Sequence, residues 1–185
     1  EAAQPGGVRP GLSFGKRKVN KQIRRVYGTP NQAWALMRDK QSVKGQAKAF
    51  WKMFNAGETD KCRELFHTAT GETFTDWDGG SAHAERFKNG RVTGGRQGSK
   101  LPIIFTNDGD ALKAYIEKRQ EKIGWLAAGW NMAAALLNVK LSAWIWRHSS
   151  PGNASVTVNN DGIRIKMKNN VSYAGTISDY PARVQ

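Results

Sequence analysis

Apolar positions recur at helical spacing through the first two thirds of the chain and alternate near its end. Thr29-Pro30 predicts a helix start, because the Thr29 hydroxyl can accept from free first-turn amides and Pro30 suits the first helical position. Ala33, Trp34 and Met37 mark the inner face of that helix. A second helix is predicted over about Ser42 to Asn55, where Val43, Ala47, Phe50, Trp51 and Phe54 make one stripe, and Gly57 ends it. A third covers Asp60 to Thr68, with Cys62, Leu65 and Phe66 inward. Leu101 to Phe105 reads as a short buried strand, and Asn107-Asp108-Gly109 offers an N-cap for a helix starting at Asp110.

The strongest pattern is Asp110 to Leu137, predicted as one long helix. Leu112, Tyr115, Ile116, Ile123, Leu126, Trp130, Ala134 and Leu137 fall at steps of three and four. Gly124, Ala127, Ala128, Gly129 and Ala133 to Ala135 are small and admit close approach by another helix, although each glycine costs about 1 kcal/mol in propensity. Trp144, Ile145 and Trp146 form a short element, and Ser150-Pro151-Gly152-Asn153 a turn. Ser155 to Val158 and Ile163 to Lys168 then predict a hairpin, because Asn159-Asn160-Asp161-Gly162 between them contains Asp-Gly, which readily adopts positive φ. Val156, Val158, Ile163, Ile165 and Met167 alternate with polar residues, so one face is expected to be buried and the other wet.

Two stretches have no core-forming period. Residues 1–26 mix proline and glycine with Lys16, Arg17, Lys18, Lys21, Arg24 and Arg25, and are expected to be an extended basic arm that orders only against a partner. Leu12 and Phe14 are its apolar exceptions, suited to a docking groove. Residues 71–100 read as a long glycine-rich loop. The expected fold is therefore α+β: a helical segment at 27–70, then a core at 101–176 in which one long spine helix packs on a small antiparallel sheet. The arm at 1–26 and a tail at 177–185 flank it.

Composition changes this picture little. Among 185 residues, 39% hydrophobic, seven Trp, seven Phe and four Tyr supply enough large side chains for a core despite a mean hydropathy of −0.61. The single cysteine, Cys62, excludes an intrachain disulfide and a zinc site with several thiolates, and is expected to be a small core residue. No secretory signal stands out. The apolar stretch Ile123 to Leu137 is interrupted and too short to span a bilayer, so a soluble protein without a membrane partner is expected.

Charge is more informative. The net charge is +14, and residues 1–26 hold seven Lys/Arg against Glu1 alone. Residues 86–100 add Arg86, Lys88, Arg91, Arg96 and Lys100 with no acid, beside Gly90, Gly94, Gly95 and Gly98. Cations concentrated in aperiodic stretches point to a polyanionic or acidic partner rather than a catalytic pocket. Both segments are candidate partner-binding sites.

Catalytic signals are sparse. Asp76, Asp78, His83 and Glu85 come closest to a metal or hydrolase constellation, but their spacing fits no ligand motif and they read as a solvated loop. Gly90 to Lys100 could cradle phosphate through amides, yet contains no P-loop. His67 and His148 stand alone, and no serine lies in a nucleophile elbow. No catalytic residue, cofactor or metal is expected. Nucleic acid remains open as an alternative partner, without the signature of sequence-specific readout.

The last third, a long helix, a tryptophan-bearing link, a hairpin and then Asn169-Asn170-Val171-Ser172-Tyr173-Ala174, resembles the neck or tail-completion proteins of tailed bacteriophages over about residues 108–176. The resemblance implies a virion structural subunit, present in the host cytoplasm during assembly, that forms a sixfold or twelvefold ring where the head joins the tail. Portal, connector or tail proteins would be its partners, with DNA near the channel. It places Asn170, Tyr173 and Ala174 at a subunit interface. The helical segment 27–70 and the basic arm lie outside that family's common core, and Gly175-Thr176-Ile177 departs from its usual pattern after Tyr-Ala.

Overall fold

The computed structural model describes residues 11–88, 91–92, 102–146, 148, 152–160 and 162–170, and its architecture is α+β. The chain divides into two compact units, Ser13–Glu121 and Lys122–Gln185, with Glu1–Leu12 assigned to the latter.

In the first unit, helix α1 (Leu12–Ile23) occupies the stretch expected to be extended. Val19, Ile23 and Val26 recur at steps of four and three, and this short stripe has a cover. Ile23 and Val26 are fully buried with Tyr27, Leu112 and Ile116, and Val19 packs on the same cluster. The Gln120 side-chain amide also donates to the Lys16 carbonyl at 3.0 Å. Packing thus overrides a composition that alone favours no structure.

Strand β1 (Tyr27–Gly28) comes next, then α2 (Pro30–Asp39). Thr29 and Gln32 form a reciprocal capping box: the Gln32 amide donates to Thr29 Oγ1, and the Thr29 amide donates to Gln32 Oε1 at 2.9 Å. The predicted second helix begins as a 3₁₀ segment (Gln41–Gln46) before α3 (Ala47–Asn55), and α4 (Thr59–Thr70) ends at Gly71 with φ +76°. These helices bury Ala33, Met37, Ala47, Phe50, Cys62, Phe66 and Ala69 with Phe74 and Phe105. Phe50 meets Phe74 edge-on at 5.2 Å, and Phe66 meets Phe105 at 5.1 Å.

The 71–100 stretch is structured over much of its length. It contains β2 (Thr73–Thr75), α5 (Ser81–Arg86), β3 (Phe87–Lys88) and β4 (Arg91–Val92), with β3 and β4 antiparallel. Strand β5 (Ile104–Thr106) lies between β1 and β2, parallel to both. A Cβ on Gly28 would stand 2.5 Å from the Phe105 ring, so the central strand can seat Phe105 only because residue 28 lacks one.

The predicted spine helix is broken. Helix α6 (Gly109–Glu121), capped by Asp108 accepting from the Ala111 amide, belongs to the first unit. Helices α7 (Trp125–Ala128) and α8 (Asn131–Leu136) belong to the second, with α9 (Ala143–Trp146), β6 (Asn153–Asn159) and β7 (Gly162–Lys168). Gly124 takes φ +90°, which stops the helix, and a Cβ there would strike the Trp144 ring. The small residues do admit close neighbours: Trp144 at Gly124, and at Gly129 the Asn169 side chain, which donates to the Leu126 carbonyl.

The hairpin forms as expected, pairing Val156 with Ile165 and Val158 with Ile163 across a two-residue loop. Its apolar face is buried only in part: α8 packs against β6 and Ala154 is half-buried, while the residues beside the turn are open. Val158 is 72% and Ile163 70% exposed, because no described element covers them.

Phe66→Ala should lower the unfolding free energy by about 3–5 kcal/mol, against about 1 kcal/mol for Thr29→Ala, which loses only a cap. Urea titration monitored by tryptophan fluorescence checks the ordering.

Candidate functional site

Helix α1 carries no acidic residue. Its inward positions are taken by Val19 and Ile23, so Lys16, Arg17, Lys18 and Lys21 are exposed, as is Arg25 in the turn beyond it. Arg17 and Lys21 lie at i, i+4 spacing on α1, which puts two cations about 6 Å apart along one face of the helix. Among the described residues none of these side chains is in a salt bridge. Lys21 sits in the last turn, where the helix dipole favours it. Arg24 turns inward: its Nη1 is buried without a partner among the described residues, and burial lowers its pKa. Leu12 is half-buried and Phe14 48% exposed, so Phe14 is the apolar side chain beside the basic face.

Of the second basic segment, Arg86, Lys88 and Arg91 are among the described residues. Arg86 ends α5 and donates through Nη1 to the Pro102 carbonyl at 3.1 Å. Lys88 and Arg91 stand opposite each other in the β3–β4 register. Arg96 and Lys100 lie outside the described residues. Asn170 is exposed just after β7, and Tyr173 and Ala174 also lie outside the described residues.

The acidic-histidine constellation is not a single solvated loop. Its members are drawn apart into separate contacts. Asp76 accepts from Asn107 Nδ2 at 2.6 Å and faces Arg63 at 3.5 Å, while Glu85 is exposed. Asp78 accepts from the Tyr27 hydroxyl at 2.6 Å, the Gly80 and Ala82 amides, and Ser81 Oγ. Burial alone would raise the Asp78 pKa, but these hydrogen bonds outweigh it and hold the carboxyl below its ordinary value. Desolvation, then the bond to Asp78, pushes the Tyr27 phenol well above its usual range.

His83 is 5% exposed, with Nδ1 3.0 Å from the Tyr115 hydroxyl. Arg119 donates to that hydroxyl through both Nε and Nη2, at 3.1 and 3.0 Å. The Tyr115 hydroxyl also lies 3.5 Å from the Gly80 carbonyl, so its proton has two acceptors within reach, Gly80 O and His83 Nδ1. Nε2 is buried and has no partner among the described residues. Burial first, and the Arg119 charge second, lower the His83 pKa, so the ring is neutral at pH 7. This network ties β1, α5 and α6 together, and every oxygen of Asp78 is already engaged. Tyr27, Tyr115 and Arg119 do not stand out in the sequence, because their partners lie at separations of 51 and 32 residues for Tyr27–Asp78 and His83–Tyr115.

Other polar features are local. His67 Nδ1 lies 3.4 Å from the Glu72 carbonyl, and His148 Nε2 2.8 Å from that of Ile123. A shallow hollow of about 470 Å³ is lined by Asp60, Arg63, Glu64, His67, Thr73 and Phe74, whose charges are mixed in sign. Among the described residues no group of three or more His, Cys, Asp or Glu is placed to hold a metal ion, and no helix is long and apolar enough to cross a membrane. Comparison with protein-family models, curated proteins and solved structures finds no match.

The unfolded chain protonates His83 near its ordinary value of 6.5, which the folded state resists. Stability from the neutral ring is therefore complete above pH 6.5 and declines as pH falls below it, by at most about 1.4 kcal/mol per pH unit. The midpoint of thermal unfolding between pH 7.5 and 5 should fall more steeply for the wild type than for His83→Asn, which keeps an acceptor and cannot titrate.

Proposed function

We propose that this chain is a structural subunit of a tailed-bacteriophage virion, forming a ring with copies of itself at the head-to-tail connector or neck. The observation that carries the reading is a division of surface. Of sixteen large hydrophobic residues exposed among the described residues, twelve lie at or beyond Trp125, in the second unit. Trp125, Trp130, Met132, Leu136, Leu137 and Trp146 are each at least 38% exposed there. Apolar exposure concentrated in one unit is the mark of a surface completed by other chains. The resemblance to neck and tail-completion proteins loses its long helix, which Gly124 breaks, and is carried by the tryptophan-bearing link, the hairpin and the Asn169–Ala174 sequence; it gives those chains a class: further subunits of the ring, with portal, connector or tail proteins on either side. The virion is then the protein's destination and the host cytoplasm its place of assembly.

In this reading α1 contributes long-range attraction. Its cations steer the subunit toward an acidic protein surface, and Phe14 supplies an apolar anchor once it is docked. No step of catalysis is assigned to the chain.

A second reading rests on those same cations. Non-sequence-specific binding to nucleic acid would use α1 and the 86–100 segment as phosphate contacts, with a steep salt dependence.

The two readings part in measurement. Light scattering and negative-stain imaging of the purified chain should show rings or a mass above one chain at high concentration. A strictly monomeric protein that binds neither portal nor tail preparations contradicts the first reading. The second predicts a mobility shift with DNA at low salt that weakens about tenfold or more when Lys16, Arg17 and Lys18 all become Ala, corresponding to loss of up to three phosphate contacts.

A further inference from the structure

We propose that the outward flank of α3 is a binding surface for single-stranded nucleic acid, with Lys44, Lys48 and Lys52 on the phosphates and a base stacked against the Trp34–Trp51 column. The inference rests on the nucleic-acid reading and adds a surface that α1 and the 86–100 segment do not contain.

Residues 40–55 hold four lysines, Lys40, Lys44, Lys48 and Lys52, each four residues after the last, and no Asp or Glu. Lys40 is used within the fold, donating through Nζ to the Ala69 carbonyl at 3.1 Å. The other three are exposed, and among the described residues none of them is in a salt bridge. Helix α3 buries Ala47 and Phe50, which turns Lys48 and Lys52 outward about 6 Å apart along the axis. Lys44, in the 3₁₀ segment before α3, continues the row toward the end of α2. The Asp39 carboxyl there is held below its ordinary value first by the hydrogen bond from Arg38 and last by the charge of Lys44.

An aromatic column stands beside this row. Trp51, three residues from Lys48 and so on the same flank, has its ring centroid 5.9 Å from that of Trp34, and the Arg38 guanidinium lies 5.0 Å over the Trp34 ring. Both indoles are half-buried and pack on the cluster that contains Phe50 and Phe66. The Arg38 side chain is 49% exposed, and its ionic partner among the described residues is the neighbouring Asp39 at 2.8 Å, itself 65% exposed. An exposed pair of this kind contributes little, so the guanidinium is available to a phosphate or to the face of a base.

Charge and shape together select the occupant. Lysines alone would accept any polyanion, an acidic protein surface or a DNA duplex included. Indoles and a guanidinium plane add a platform for flat rings, and unpaired bases offer their faces to it, whereas a duplex keeps them in its own stack. The surface of one sign ends with α3, since α4 carries Asp60 and Glu64 beside Lys61 and Arg63.

The test uses the full chain and a fluorescently labelled oligothymidylate of about twelve nucleotides, followed by anisotropy in a salt series. Lys48→Ala combined with Lys52→Ala removes two phosphate contacts. It should weaken binding about 25-fold at 0.1 M salt and flatten the plot of log K against log salt by about 1.4. Lys113→Ala combined with Lys118→Ala, the same loss of charge from exposed positions on α6, should stay within about twofold of the wild type. Trp34→Leu should weaken binding about 5- to 150-fold with the slope unchanged. The strand should also quench tryptophan fluorescence, with a smaller amplitude in Trp51→Phe.

If the wild type binds the strand, the α3 lysine pair keeps its affinity and slope, and Lys16→Ala, Arg17→Ala and Lys18→Ala together remove it, the α3 surface is overturned while the nucleic-acid reading stands. A wild type that binds no oligonucleotide at about 50 mM salt overturns both. Tighter binding of a duplex of the same length without tryptophan quenching overturns the proposal. So does competition by polyglutamate as effective, charge for charge, as that of the unlabelled strand, which would assign the lysines to an acidic protein. Should Trp34→Leu fail to fold by circular dichroism, the exposed lysine pair and the quenching amplitude decide.

Discussion

The Asp78 carboxylate is the point on which the first unit turns. It is the acceptor for a phenol from β1, two amides and a hydroxyl from the start of α5, and so fixes the chain after β2 against the chain before α2. Tyr27 in turn packs its ring at 5.0 Å from Trp77 and receives the His83 amide on its hydroxyl. Trp77 meets Tyr115 on α6, and Tyr115 meets His83. Removing the carboxylate would leave a buried phenol and a helix start without acceptors, a larger disturbance than the loss of any one bond.

Much of the first unit was legible from local pattern. Thr29-Pro30, the Val43 to Phe54 stripe and the burial of Cys62 are readable from spacing alone, since each depends on neighbours a few residues away. The helix at α1 was obscured because Val19, Ile23 and Val26 are outnumbered by cations, and their partners Leu112 and Ile116 come some ninety residues later. The polar network was hidden for the same reason. Its donors and acceptors belong to β1, α5 and α6, and only the fold brings them together.

The long helix failed differently. Its apolar steps continue through Gly124 and Gly129, so periodicity predicted continuity, but a glycine at φ +90° ends a helix whatever the pattern beyond it. Side chains that a straight helix would have aligned instead belong to two units. The hairpin shows the limit of reading alternation: it located both strands and their apolar face, but alternation says only that a face is suited to burial, never which molecule supplies the cover.

The basic side of β7 has a consequence for growth. Among the described residues β7 has one partner strand, so its other edge presents unpaired amides and carbonyls, the usual template for runaway fibre formation. Stacking β7 on β7 in register would bring Arg164, Lys166 and Lys168 beside their own copies about 4.8 Å away, where like charges repel strongly. The three cations thus act as gatekeepers that keep the hairpin from adding strands without end.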